Sequence, residues 1–366
     1  MTPDLLLAGP RGRRLCLELV HPPPDGFTAD DNELRHALFY AAHHADPGAG
    51  TSRVVFGWGV PDPLPEPSSA EVARLIEDRP LPEPGAEQVW RALGATVDSA
   101  RYWQEPDGED VLAATPEVAG ALSRVARRVT TSAHTAWWTA PLRRTDQWTV
   151  AFLEPEDRGP DPWAGLPADR QLARWTERER ALEEEFRREQ PGDAREPISA
   201  HWWSVPVAGL VSTTSLIPGR GPLGLRMVED ELGWDRATVR RVEVPADARV
   251  YEVDGPEAWI ELCRRHPLDV GASRRYDWFR ATGEHLPWVI PDWQRVAEDV
   301  DAVHLTVAGY LTTAGRALPL GDGRSTVLAG WDPDATLWLT DLPGAGGAGE
   351  TWVRDEDGDW APEHSR

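Results

Sequence analysis

Arg249-Val250-Tyr251-Glu252-Val253 runs directly into Asp254-Gly255-Pro256, after which Trp259, Leu262 and Cys263 recur at helical spacing. Five residues rich in β-branched and aromatic side chains predict a strand. Asp254 as a cap, with Pro256 inside the first turn, predicts a helix that buries Trp259, Leu262 and Cys263. Further short β-type runs lie at 205–214, 237–244, 302–306, 326–329 and 336–340, with a second predicted helix over 225–232. Strands interspersed with helices in this irregular order predict an α+β domain with a mixed or antiparallel sheet and flanking helices.

Upstream the texture is helical. Residues 116–129 carry Val118, Leu122, Val125 and Val129 on one face with a period near 3.6, and 87–103 carry Val89, Trp90, Leu93 and Val97 in the same way. Residues 167–190 start with Pro167 and place Leu172, Trp175, Leu182 and Phe186 among dense charges, which predicts a solvated helix leading out of a domain. Its charge run, 177–189, reads as an exposed face. Pro-, Gly- and Asp-rich stretches at 154–165 and 191–197 bracket that helix and read as linkers. The resulting division is a mainly helical domain at 1–155, a linker with a charged helix at 156–197, an α+β domain at 198–342 and a flexible acidic tail at 343–366.

Composition narrows the function classes. The formal charge of −23 disfavours general binding to nucleic acid and to anionic membrane surfaces. All 38 basic residues are Arg, which excludes a Schiff-base or P-loop lysine. Cys16 and Cys263, each in an apolar setting, make neither a disulfide framework nor a cysteine zinc site, and a reducing cytoplasm is expected. The amino-terminal order, apolar then basic, is the reverse of a signal peptide, and no apolar run reaches the length of a bilayer span.

Three constellations carry candidate chemistry. The first is the supply of 19 Trp, above all Trp202, Trp203, Trp331 and Trp338, whose indole faces suit stacking on a base, a nicotinamide, a sugar or a cation. Neighbouring indoles on a strand point to opposite faces, so Trp202 or Trp203 is expected to face a groove. The second is His201 with Ser204, followed at strand distance by Ser212, Thr213 and Thr214, either a nucleotide-positioning element or hydroxyls capping a turn. The third is the late block made of Pro291-Asp292-Trp293, then Asp301 to Thr306 with His304, then Trp331-Asp332-Pro333-Asp334. Carboxylates one residue apart suit a metal or a developing cation, and equally suit an ordinary turn; no metal site is assigned. Arg274 and Arg275 are a candidate diphosphate clamp. The run 355–359 lacks the spacing and distal Glu of a calcium loop.

The block from Arg249-Val250-Tyr251-Glu252-Val253 through Pro291-Asp292-Trp293 and Val303-His304-Leu305-Thr306 to Gly330-Trp331-Asp332-Pro333-Asp334 resembles a family of uncharacterised actinobacterial proteins. Over residues 200–342 it is also faintly similar to ADP-ribosyltransferase-like domains. That resemblance implies a split sheet binding NAD in a cleft, with His201 on an early strand and 212–214 on the next. It implies Asp334 as the carboxylate that steadies the oxocarbenium when nicotinamide departs, at a position where the family pattern usually has Glu. The expected catalytic set is His201, His304 and Asp334; the expected cofactor-binding set is Trp202, Trp203, Ser212, Thr213, Thr214, Trp331 and Arg274. The expected partner is a small molecule or nucleotide. Two other readings stay open: a protein-binding adaptor, and a biosynthetic enzyme acting on a hydrophobic or peptide substrate.

Overall fold

The computed structural model describes residues 1–21, 28–48, 64–153, 165–189, 192–199, 201–206, 209–345, 348–356 and 358–363. The chain forms two compact units, Met1–Thr96 with Gln104–Trp137, and Val97–Trp103 with Trp138–Arg366. The division therefore falls after Trp137, whereas composition points to 156–197. Most of the stretch expected as the first linker, 154–164, lies outside the described residues.

The first unit is built from α1 (Pro3–Leu7), α2 (Pro10–Val20), α3 (Ala29–Ala45), α4 (Ser69–Asp78), α5 (Ala86–Asp98), α6 (Gly108–Ala114) and α7 (Pro116–Thr131). In α7, Pro116 sits in the first turn and Val118, Leu122, Val125 and Val129 are buried, as their spacing predicts. Thr28 and Asp31 form a reciprocal capping box at the start of α3. Two of the α2 arginines are buried and paired: Arg14 with Glu18 at 2.7 Å and Asp107 at 2.9 Å, and Arg11 with Asp110 and the Thr96 carbonyl. Such charges are tolerated in a core only when their partners hold them. The helix predicted over 87–103 stops at Asp98. Residues 97–103 belong to the second unit, where the Tyr102 hydroxyl donates to Glu229 at 2.7 Å.

The second unit is an α+β structure. Its strands are β1 (Gln147–Phe152), β2 (Ser212–Ile217), β3 (Gly221–Pro222), β4 (Arg236–Val242), β5 (Val250–Val253), β6 (Pro267–Asp269), β7 (Val289–Pro291), β8 (Ala302–Leu305), β9 (Leu318–Pro319), β10 (Ser325–Thr326), β11 (Thr336–Trp338), β12 (Glu350–Arg354) and β13 (Trp360–Pro362). Its helices are α8 (Ala168–Glu189), α9 (Pro256–Arg265), α10 (Arg275–Thr282), α11 (Trp293–Asp299) and α12 (Val307–Thr313). The main sheet runs β13-β12-β4-β1-β2-β11-β8-β5, with β3 beside β2. Only β5 and β8 pair in parallel, so the sheet is mixed. On β4, Ala237 and Val239 face a core group with Leu225 and Trp360, while Val242 packs on the opposite side with Leu142, Ala302 and Trp338.

The strand–helix junction at 249–263 forms nearly as read. Trp259, Leu262 and Cys263 are buried on α9, although the capping position is taken by Gly255 rather than Asp254. Three other expectations are corrected. The acidic tail is not flexible throughout: β12 and β13 extend the sheet, because Trp352 and Trp360 pack against Trp148, Val150 and Phe152, while Asp355 closes the turn by accepting the Asp359 N–H. The helix predicted over 225–232 is a single tight turn at Leu223–Leu225, since buried Leu225 and Met227 alternate and Leu232 is exposed. The expected strand at 326–329 shrinks to β10.

The helix α8 is where charge misleads most. Within 177–189, Glu179 and Glu183 are buried. Glu179 pairs with buried Arg274 at 2.6 Å, and Glu183 accepts the backbone N–H groups of Ala272 and Ser273 at the entry to α10. Phe186 packs on Ala272 and Tyr276. The predicted solvated arm is therefore anchored to the second unit by charge and by apolar contact. No helix among the described residues is long and apolar enough to cross a membrane.

Candidate functional site

Six of the 19 tryptophans, Trp138, Trp259, Trp278, Trp288, Trp293 and Trp338, are fully buried core residues. Trp278 donates to the Trp202 carbonyl and Trp293 to the Ser204 carbonyl, so buried indoles fix the segment 202–204 through its main chain. That segment is not a strand, so Trp202 and Trp203 are not held on opposite faces of a sheet. The two indoles instead stack on each other, 4.6 Å apart at 29°, and Trp202 also leans on Trp103 at 5.0 Å.

The stacked pair forms one wall of a pocket of about 360 Å³. Trp331, Trp234 and Leu210 add apolar surface, Ser212 supplies a hydroxyl, and Glu229 and Asp332 supply carboxylates. Gly330 lets the floor approach this closely: it has φ +76°, and a Cβ there would lie 2.5 Å from Trp203 Cδ1 and 3.0 Å from the Trp202 ring. Trp234 is held by stacking on Phe152 at 4.6 Å. Asp332 accepts the Glu229 N–H at 2.9 Å. Burial pushes its carboxyl up to about 7, against the opposing pull of that N–H.

Two residues further on, Asp334 does something else. It adopts φ +60° and turns to β2, accepting from the Ser215 N–H at 2.7 Å and the Thr214 hydroxyl at 3.1 Å. Its other oxygen lies 3.5 Å from His304 Nε2, and His304 Nδ1 contacts Glu252 at 2.5 Å. Glu252 in turn accepts the Leu142 N–H. Burial opposes a charge on His304, but the hydrogen bonds and charges of Asp334 and Glu252 outweigh it and raise the imidazole to about 9. The result is a carboxylate–imidazolium–carboxylate chain joining β5, β8 and β2, buried at His304 and Asp334 and partly exposed at Glu252.

The expected site residues thus divide. Trp202, Trp203, Ser212 and Trp331 meet at the pocket. His304, Asp334 and Thr214 meet in the buried chain, and Thr213 is engaged by Gln147 and the Trp338 indole. Arg274 is no diphosphate clamp: it is buried, and its guanidinium is spent on Glu179, Ser273 and the Trp203 carbonyl. His201 stands beside Trp203 rather than against His304 or Asp334; burial, then the charge of Arg274, hold its pKa below the ordinary value. Asp292 caps α11 and pairs with Arg180. Among the described residues no cluster of His, Cys, Asp or Glu has the arrangement of a metal site.

Glu229 and Glu252 were not singled out from sequence. For Glu252 a signal existed: it is a lone acid in an apolar strand, and the parallel register sets it opposite His304, a lone base in another. Glu229 lies in the segment misread as a helix and offered none. Neither protein-family models, nor curated proteins, nor solved structures give a match to this chain.

Proposed function

We propose that the second unit binds a small aromatic cation in the pocket walled by Trp202, Trp203 and Trp331. The observation that carries this reading is the pairing of indole faces with two carboxylates, Glu229 and Asp332, and no basic side chain among the described lining residues. Indole is the strongest of the aromatic side chains for holding a cation, and a water-poor setting strengthens both that attraction and the carboxylate's. Concavity favours a small ligand over the flat patch that a protein-binding adaptor would present.

The nicotinamide end of NAD belongs to this ligand class, so the narrower reading is ADP-ribosyl transfer. In that form Asp332, not Asp334, is the carboxylate available to steady the oxocarbenium left as nicotinamide departs, because Asp334 is engaged by His304, Thr214 and Ser215. A diphosphate next to two carboxylates is unfavourable, which makes the broader class the better supported one.

The test is titration of tryptophan fluorescence with benzyltrimethylammonium, its neutral tert-butyl isostere, and NAD. Saturable quenching by the cation, at least tenfold weaker with the isostere and reduced in Trp203→Ala, is the expected result. Equal binding of cation and isostere, or no quenching by either, overturns the proposal. Binding of NAD with release of free nicotinamide selects the narrower reading.

A further inference from the structure

The first unit holds a recess of a different character. The end of α2, the end of α4 and the loop after it, and the middle of α7 enclose a cavity of about 200 Å³. Leu19, Ile76 and Val125 give it apolar walls, and Arg79, Arg124 and Arg128 also line it. No acidic residue is among its described lining residues, in a chain whose acids outnumber its bases 61 to 38. A second, more open recess adjoins it, sharing Leu81, Arg124 and Arg128 and adding Arg127; its described lining also lacks any acid. Residues 124, 127 and 128 are neighbours on one side of α7 by helical geometry.

The states of these arginines differ. Arg79 donates through Nη2 to Asp31, while its Nη1 is buried without a partner. Arg124 donates to the Ile76 and Glu77 carbonyls at the end of α4. Arg128 is exposed, and its guanidinium has no hydrogen-bond or ion-pair partner among the described residues. A guanidinium with unengaged N–H donors at the rim, as at Arg128, can donate to a ligand oxygen. An apolar cavity with a cationic rim suits an anion that carries an apolar tail. Size narrows the class further: a cavity of roughly 150 Å³ holds benzene, whereas drug-sized ligands need roughly 300 Å³ or more.

We propose that the first unit is a binding site for a small amphiphilic carboxylate, a short-chain or single-ring organic acid, with its tail between Leu19, Ile76 and Val125 and its head at the Arg79, Arg124 and Arg128 rim. This rests on residues separate from the aromatic pocket and stands or falls independently of it.

Calorimetry on the full chain with octanoate, 1-octanol and acetate tests it. Octanoate is expected to bind saturably at one site, with octanol and acetate each weaker by at least about tenfold, because each lacks one half of the recognition. Arg128→Glu, at an exposed position, is expected to lower octanoate affinity by tenfold or more while leaving the benzyltrimethylammonium titration as in the parent chain. Circular dichroism confirms that the variant is folded. Octanoate that fails to bind the parent chain, octanol that binds equally well, or an affinity unmoved in Arg128→Glu each overturn the proposal.

Discussion

Asp332 and Asp334 are separated by one residue and end in opposite settings. Asp332 lines the aromatic pocket, accepts one backbone N–H, and burial pushes its carboxyl up to about 7. Asp334 is saturated by Ser215, Thr214 and His304 and serves as one end of a buried ion chain. The left-handed backbone at Asp334 turns the second carboxylate away from the first. Sequence spacing alone would make them a pair; backbone conformation makes one available to a ligand and commits the other to the fold.

The largest way to break this contrast is to remove the base between the two acids. His304→Leu leaves Glu252 and Asp334 facing each other without a counter-charge, and is expected to destabilise the second unit by about 3–5 kcal/mol. Urea unfolding monitored by circular dichroism measures it, and an unchanged midpoint would mean the chain carries no stability. The same chain has a pH signature. A histidine raised from its unfolded value to about 9 contributes stability that is fully present below roughly pH 6.5 and is lost as pH rises through 9. The melting temperature should therefore fall between pH 7 and 10, and His304→Leu should flatten that fall.

A smaller effect is expected at the pocket floor. Gly330→Ala places a methyl group against the indoles of Trp202 and Trp203 and holds alanine at positive φ, for about 1–3 kcal/mol of destabilisation. Near-ultraviolet circular dichroism should report the displaced Trp pair. The smallest effect is the most specific to ligand chemistry. Protonated Asp332 cannot attract a cation, so affinity for benzyltrimethylammonium should rise about tenfold from pH 6 to pH 8. In Asp332→Asn the affinity should be weak and independent of pH; a preserved pH dependence would show that another group titrates with the ligand.

Local periodicity made much of the fold legible. Val118, Leu122, Val125 and Val129 announce α7, and Trp259, Leu262 and Cys263 announce α9, because each stripe is short-range and each helix has Pro in its first turn. What periodicity could not report was the fate of charges. Glu183 reads as solvated until Ala272 and Ser273, about ninety residues later, offer it their N–H groups. Acidity likewise hid β12 and β13, although Trp352 and Trp360 carry the apolar contacts those strands need. The pocket is half legible: the indoles and Ser212 stand out in the sequence as binding side chains, but Glu229 and the closeness allowed by Gly330 depend on tertiary approach.

Strand β4 lies between β1 and β12, and its second neighbour comes from the far end of the chain. A nascent chain leaving the ribosome therefore carries β4 with one edge uncovered for about a hundred residues of synthesis, the interval in which open edges recruit other chains. Arg236, Arg240 and Arg241 stand on that strand, and charge of this kind discourages edge-to-edge aggregation. Once β12 arrives, the guards become clasps: Arg240 donates to the Ala348 carbonyl, and Arg236 pairs with Glu363 beyond β13. The same side chains thus protect the unfinished sheet and fasten the finished one.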